Sequence, residues 1–293
     1  MNFFSKYQFN MLSIGLIALV IGFLFHKPLT GEYTFGSPDS LSPSAVNQGI
    51  TLSEEKYGKY PLWLPWIFSG LPSVHSFQNI SDYYFPNFFI TLFKSLGMPG
   101  FLSYIIHFIL AGMGVFAILR ELGTSRYSAL FGGISFSLMP YLITMVVHGH
   151  GSQMMTTAWL PWVIWILFRL YEKTNLTNLA ILGIIVGLQL QRAHVQIAYY
   201  TWMTAGLLIF MMFWNFNSSN ANKSKWMLYT GLGLVLGLCM AMWIYLPAMN
   251  YTPYSIRGAG SGEVQALNMR LPGLFPLLKW PHLSFLHSMV LEV

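Results

Sequence analysis

Long runs of apolar residues with almost no ionisable groups constrain this chain more than any other feature. Residues 11–25, 101–119 and 226–248 form such runs, and they approach or reach the roughly 20 residues that cross about 30 Å of hydrocarbon. In lipid, such a segment satisfies its backbone hydrogen bonds internally only as a helix. Only 8% of the residues are charged, against roughly 25% in soluble domains. The sequence therefore predicts an all-α polytopic membrane protein and argues against a soluble fold.

Seven transmembrane helices are predicted. The first is interpreted as an uncleaved anchor, because residues 23–29 offer no small-x-small cleavage site. The approximate ranges of the seven spans are 9–26, 100–119, 127–147, 154–171, 176–191, 194–214 and 226–248.

The basic residues between these spans predict the orientation of the chain. The pairs that fall in alternate loops are Arg120 and Arg126, Arg169 and Lys173, and Lys223 and Lys225. Since short loops rich in Lys and Arg stay in the cytoplasm, these loops and the N-terminus are expected there. A long first loop, 27–99, the turns 148–153 and 191–194, and everything after 249 then face outward. The chain is expected to cross its membrane several times.

Residues 83–96 leave an alternative open. This stretch is apolar, but it has only about fourteen residues and contains Pro86 and Lys94. We interpret it as an interfacial helix at the outer surface. As an eighth span it would invert every later loop.

Acidic residues are concentrated in the first outward loop. It holds five of the nine carboxylates of the chain, namely Glu32, Asp39, Glu54, Glu55 and Asp82. Carboxylates beside a membrane are candidates for acid–base work or cation binding. Glu54 and Glu55 lie next to lysines and are typical of a solvated face. Asp39 lies in a stretch rich in Ser and Pro, which predicts a turn that holds its carboxylate at the membrane surface.

Cationic and imidazole groups are predicted at the outer ends of later spans. His148 and His150 are separated by one residue and could chelate a metal, but a third ligand is missing, and interfacial hydrogen bonding is the alternative. Arg192 and His194 lie between two apolar spans. A cation there is costly unless it reaches water or an anion, and a guanidinium suits a carboxylate or a phosphate.

Several function classes find no support. The chain has no phosphate-binding glycine loop, no dinucleotide fingerprint and no zinc-protease helix signature. Its net charge of +6 lies mostly in short connections, where it reports topology rather than a nucleic-acid surface. The single cysteine, Cys239, excludes an intramolecular disulfide.

A set of ordered motifs resembles the bacterial YfhO-like membrane proteins. The motifs are the acidic stretch after the first span, Pro-Leu-Trp-x-Pro and Phe-Ser-Gly-x-Pro within 61–72, Phe-Pro-Asn at 85–87, Arg-Ala-His-Val-Gln-Ile-Ala-Tyr-Tyr at 192–200 and Tyr-Ser-Ile-Arg-Gly at 254–258. That family is placed among the GT-C-type glycosyltransferases. These multi-span enzymes use a polyprenyl-phosphate-linked sugar and work at the outer face of the cytoplasmic membrane.

The resemblance implies roles for individual residues. Asp39 matches the first-loop acid expected to act as general base, although Ser-Pro-Asp-Ser stands here in place of the family's Gly-Asp-Ser. Substrate-binding roles are expected for Arg192, His194, His148, His150, Asp82 and Arg257. The expected partners are a lipid-linked sugar donor, an envelope polymer or lipid acceptor and membrane lipids, with no nucleic acid. A divalent metal is compatible with this enzyme type, but the sequence shows no convincing ligand set.

The resemblance also implies a division of the chain. Residues 1–260 are expected to form a membrane-embedded GT-C-like domain, and residues 261–293 a diverged or truncated extracytoplasmic tail. Since family members are longer, a truncated and inactive copy is one expectation. A different class of function is also open, namely a transporter of lipid-linked sugars or a scaffold for envelope assembly. Polar groups near the membrane midplane, such as Ser135, Ser137 and His107, would favour a transporter.

Overall fold

A computed structural model of the chain describes residues 3–33, 35–67, 70–73, 84–214 and 223–254. The described residues are mostly helical. The helices are α1 (Phe3–Leu24), α2 (His26–Thr30), α3 (Pro38–Tyr57), α4 (Asn87–Ser95), α5 (Leu102–Glu121), α6 (Arg126–Ser137), α7 (Pro140–Val147), α8 (Gly151–Glu172), α9 (Leu176–Leu190), α10 (Val195–Trp214) and α11 (Lys223–Tyr251). A 3-10 turn, Thr252–Tyr254, follows α11. By its internal contacts the chain divides into two units, Met1–Leu246 and Pro247–Val293.

Four helical stretches within the described residues are long and apolar enough to cross a membrane. They are Leu102–Glu121, Arg126–Val147, Val195–Trp214 and Lys223–Tyr251. Met11–Leu24 and Leu176–Leu190 are apolar but shorter, and α8 has 22 residues with a Pro inside it. The helices suggest a membrane-embedded all-α protein, as predicted. The count of seven spans stays a prediction.

The span predicted at 127–147 is not one continuous helix. The chain leaves the helical conformation at Leu138 and Met139, between α6 and α7. Pro140 is the first residue of α7, where a missing N–H and a fixed φ are tolerated. Since a proline disfavours helical backbone in the residue before it, Pro140 explains why α6 ends where it does.

Two clusters of buried side chains form the core of the first unit. One joins α1, α5, α7 and α8 around Phe108 and Met154. The other joins α8 to α9, α10 and α11 around Leu167 and Leu182. Helix α8 contributes to both clusters, so it links the two halves of the bundle.

Two pairs of glycines, each four residues apart, place α9 against α11; they are Gly183 and Gly187 on α9 and Gly233 and Gly237 on α11. A Cβ added at Gly187 would lie 2.9 Å from Cβ of Met240, and one at Gly237 would lie 3.0 Å from the carbonyl of Gly183. Only glycine allows the two backbones to approach so closely. These glycines therefore serve helix packing.

The segment rich in Pro and Trp forms a small hairpin. Strands β1 (Trp63–Leu64) and β2 (Leu71–Pro72) pair antiparallel, with Trp63 opposite Pro72 and Leu64 opposite Leu71. The hydroxyl of Ser73 donates to the carbonyl of Pro61 at 2.7 Å and closes the base of the hairpin. The interfacial helix predicted at 83–96 corresponds to α4, whose nine residues extend about 14 Å. This length is too short to cross a bilayer.

Candidate functional site

The turn between α7 and α8 gives its two histidines, His148 and His150, different surroundings. Gly149 has φ 88°, a left-handed conformation that glycine adopts at no steric cost. The N–H of His150 then donates to the carbonyl of Met145 at 2.8 Å and closes the end of α7. His150 immediately precedes α8, whereas Nδ1 of exposed His148 lies 2.9 Å from the carbonyl of Thr144 on α7. Only His150 is therefore directed at another element.

Asp39 meets His150. Its Oδ2 lies 3.4 Å from Nε2 of His150, and the two side chains are 62% and 47% exposed. Asp39 of the first loop and His150, more than a hundred positions later in the chain, thus meet at a water-accessible position. Both were predicted site residues, and the structure brings them together.

The local conformation predicted for Asp39 is wrong. It does not lie in a turn but in the first turn of the 20-residue helix α3. Pro38 begins that helix, where its missing N–H costs nothing. A carboxylate in the first turn is stabilised by the helix dipole. The Ser and Pro residues that indicated a turn are thus helix-start residues here.

Arg192 is buried rather than directed into water. The chain turns tightly after α9, and Ala193 adopts φ 50°, a strained conformation for a residue with a Cβ. Arg192 is only 6% exposed, and its Cζ lies 4.7 Å from the ring centroid of Tyr84. Its Nε has no hydrogen-bond partner among the described residues. Burial lowers the pKa of Arg192, as expected for a desolvated cation.

Tyr84 is held by a buried hydrogen-bond chain. Nδ1 of His107 lies 2.7 Å from the carbonyl of Ser103, so Nδ1 carries the proton and Nε2 accepts. The Tyr84 hydroxyl therefore donates to Nε2 of His107 at 2.9 Å and accepts from Nε1 of Trp159, also at 2.9 Å. Every polar atom of this chain is satisfied, so the ring beneath Arg192 is fixed in place.

His194 lies beside this arrangement and is half-buried. Burial lowers the pKa of His194, and the nearby charge of His150 lowers the pKa further. Nδ1 of His194 has no hydrogen-bond partner within the described part of the chain. Asp39, Tyr84, His150, Arg192 and His194 are here named the Asp39 cluster.

Sequence reasoning missed two aromatic contributors. Tyr84 received no role, although its hydroxyl is the centre of the buried chain. Tyr104 lies against the start of α8, because a Cβ at Gly151 would collide with its ring, and it interacts electrostatically with Arg192. The sequence did indicate His107, because it is an ionisable residue inside an apolar span. The predicted site residues Asp82 and Arg257 lie outside the described residues.

The cluster combines two kinds of chemistry. An exposed carboxylate and imidazole can exchange a proton with a bound hydroxyl, and a buried guanidinium with an unused donor can bind an anion. Within the described ranges, no group of three or more His, Cys, Asp or Glu side chains could hold a metal ion. The cluster therefore does not fit the divalent metal that the resemblance allows. Comparisons with protein-family models, curated proteins and solved structures found no match to this chain.

Proposed function

We propose that the protein is a membrane glycosyltransferase that moves a sugar from a polyprenyl-phosphate carrier to an extracytoplasmic envelope acceptor. The observation that carries this proposal is the 3.4 Å contact between Asp39 and His150, at the end of the bundle that also holds buried Arg192. A proton acceptor and an anion-binding cation are the two groups that such a transfer requires.

Asp39 is the proton acceptor in this proposal. The acceptor hydroxyl attacks the anomeric carbon of the sugar, and its proton passes to the Asp39 carboxylate as the new carbon–oxygen bond forms. His150 lies within contact distance of the same carboxylate, so it orients Asp39 and can carry the proton onward. Both side chains are accessible to water, as a soluble or lipid-bound acceptor requires.

Arg192 stabilises the leaving group in this proposal. The bond between the anomeric carbon and the phosphate oxygen breaks, and its electron pair leaves with the phosphate. A guanidinium that is already desolvated stabilises this developing charge more strongly than one in water. His194, with an unpartnered Nδ1, is a second donor for the phosphate.

A cavity beside Arg192 suits the lipid part of the donor. It has a volume of about 530 Å³ and is lined by Tyr84, Phe85, Phe88, Gln191 and Trp243, among others. Gln191 and Tyr84 are the neighbours of Arg192 in the chain and in space. The cavity therefore places an aromatic wall next to the buried cation, as an isoprenoid phosphate requires.

A transporter of lipid-linked sugars is the second candidate. The break between α6 and α7 falls inside a predicted span, and broken helices often surround transport sites. The buried chain from His107 to Tyr84 and Trp159 adds polar groups inside the bundle. These features favour a path for a polar headgroup, but none of them uses the exposed Asp39–His150 contact.

The deciding experiment follows sugar from a labelled polyprenyl-phosphate donor into acceptor material in membranes that contain the protein. Asp39→Asn keeps the side-chain shape but cannot take the proton, so the rate should fall 10²–10⁴-fold, the range typical of a general base. Glu54→Gln and Glu55→Gln are matched controls, because both residues are exposed on the same helix as Asp39. They should retain the normal rate.

Each result separates the candidates. Transfer at the normal rate by Asp39→Asn contradicts the catalytic assignment. Movement of labelled donor across the bilayer without transfer, by the unmodified protein and by Asp39→Asn alike, supports the transporter instead.

A further inference from the structure

A second cavity lies at the opposite end of the bundle from the Asp39 cluster. Tyr104 near the start of α5 contacts the start of α8, whereas Glu121 at the end of α5 contacts Arg169 near the end of α8. The two helices therefore run antiparallel. The 20 residues of α5 separate the two ends by about 30 Å, so this cavity takes no part in chemistry at Asp39.

Three arginines line this cavity. It has a volume of about 410 Å³, and Arg120, Arg126 and Arg169 line it together with a single acidic residue, Glu121. The lining thus carries a net charge of +2. A surplus of guanidinium groups at one point of a membrane protein calls for an anion.

Glu121, the acidic residue of this lining, already interacts with two neighbouring side chains. Glu121 is 14% exposed and lies 3.5 Å from Nη1 of Arg169, and it accepts from Nε1 of Trp165 at 3.3 Å. Glu172 is hydrogen-bonded to Glu121; burial raises the pKa of Glu172, and the bond and charge of Glu121 raise it further.

An apolar groove leads away from the arginines. Met113, Phe116 and Ala117 on α5 line the same cavity, with Ile14 on α1 and Trp162 on α8. Positions 113, 116, 117 and 120 share one face of a helix. The groove therefore runs about two turns, roughly 10 Å, from the arginines toward the middle of the bundle.

We propose that this cavity binds an anionic phospholipid, with its phosphate on the arginines and one acyl chain along the groove. Arginine forks match phosphate oxygens in geometry and charge, and basic pockets between transmembrane helices bind acidic headgroups. A free phosphate fills the charged mouth but leaves the groove empty. The lipid satisfies both parts of the cavity.

The test uses native mass spectrometry of the purified full chain, titrated separately with phosphatidylglycerol, phosphatidylcholine and inorganic phosphate. Phosphatidylglycerol should bind at least tenfold more tightly than either alternative. Arg126→Gln should weaken its binding roughly fivefold, the effect of one basic residue at a membrane surface. Lys173→Gln is the matched control, because this exposed residue directly follows α8 but does not line the cavity.

A second variant tests the groove without changing any charge. Ala117→Phe fills the cavity from its apolar wall, so phosphatidylglycerol should again bind at least fivefold more weakly. Equal binding of phosphatidylglycerol and phosphatidylcholine overturns the proposal. So does inorganic phosphate that binds as tightly as the lipid, or lipid binding that neither Arg126→Gln nor Ala117→Phe weakens relative to Lys173→Gln.

Discussion

The two ends of the bundle place arginine beside aromatic rings in different ways. At one end, Arg169 is 44% exposed, pairs with Glu121 and lies 5.8 Å from the Trp165 ring. At the other end, Arg192 is 6% exposed, lies over Tyr84 and keeps an unpartnered Nε. Arg169 is therefore paired with a carboxylate and accessible to water, whereas Arg192 is neither.

This difference in burial suits the two arginines to different tasks, Arg169 to reversible binding at a surface and Arg192 to stabilising charge in an enclosed site. An exposed ion pair contributes about 0–1 kcal/mol, so the arginines around Glu121 can exchange partners at little cost. A buried cation costs several kcal/mol in lost hydration, and that cost is recovered when a bound anion is stabilised. The comparison is consistent with the two proposals, lipid binding at the Glu121 end and phosphate stabilisation at the Asp39 cluster.

Of the changes that test this contrast between the two arginines, the buried cation itself should give the largest effect. Arg192→Lys keeps the charge but loses the planar fork and much of the stacking on Tyr84. Sugar transfer should fall about a hundredfold, the scale of losing one donor to a developing negative charge. The protein yield in membranes should stay within twofold of normal. A lysine variant with full transfer would reduce Arg192 to a packing residue whose charge merely reaches toward water.

The next effect is on stability. Tyr84→Phe removes the hydroxyl that joins His107 to Trp159, and it leaves two buried polar groups without a partner. The free energy of unfolding should fall by about 1–3 kcal/mol, measured by thermal unfolding of the purified protein in detergent. Tyr127→Phe is a control, because Tyr127 is 77% exposed. A similar loss in both variants would contradict the importance of the buried chain.

The two histidines of one turn provide a smaller and sharper test. His150→Gln loses the imidazole beside Asp39, so transfer should fall about tenfold, below the range for losing the base itself. His148→Gln should leave transfer nearly normal, because that ring lies against the Thr144 carbonyl of its own helix. Equal effects of the two substitutions would indicate that the turn matters only as structure.

Much of the fold follows directly from the sequence. The apolar runs predict most of the helices. The break between α6 and α7 inside the span predicted at 127–147 was not predicted, nor was the 20-residue helix α3 in the first loop. The sequence also predicted that Asp39, His150 and His194 share one end of the bundle, because alternate loops carry the basic residues. The structure brings these three segments together, while the side of the membrane stays a prediction.

The side-chain contacts of the site do not follow from the sequence. Nothing in the pattern around Tyr84 predicts that its hydroxyl meets His107 and Trp159, since these contacts depend on how three separate segments pack. Arg192 was expected to reach water or an anion, and its burial over Tyr84 depends on the strained turn at Ala193. Asp39 was expected in a turn because Ser and Pro occur in turns and at helix starts alike.

The smallest expected effect concerns the exposed pair at the Glu121 end. Arg169→Gln, Glu121→Gln and the double variant form a cycle that measures the coupling between the two side chains. The coupling should lie below about 1 kcal/mol, since Arg169 is half exposed and its Nη1 is 3.5 Å from the carboxylate. In 1 M salt the screening length is about 3 Å, so the coupling should nearly vanish. Thermal unfolding at low and high salt provides the measurement. A coupling of several kcal/mol that salt does not reduce would make this pair a buried one, and the contrast with Arg192 would be lost.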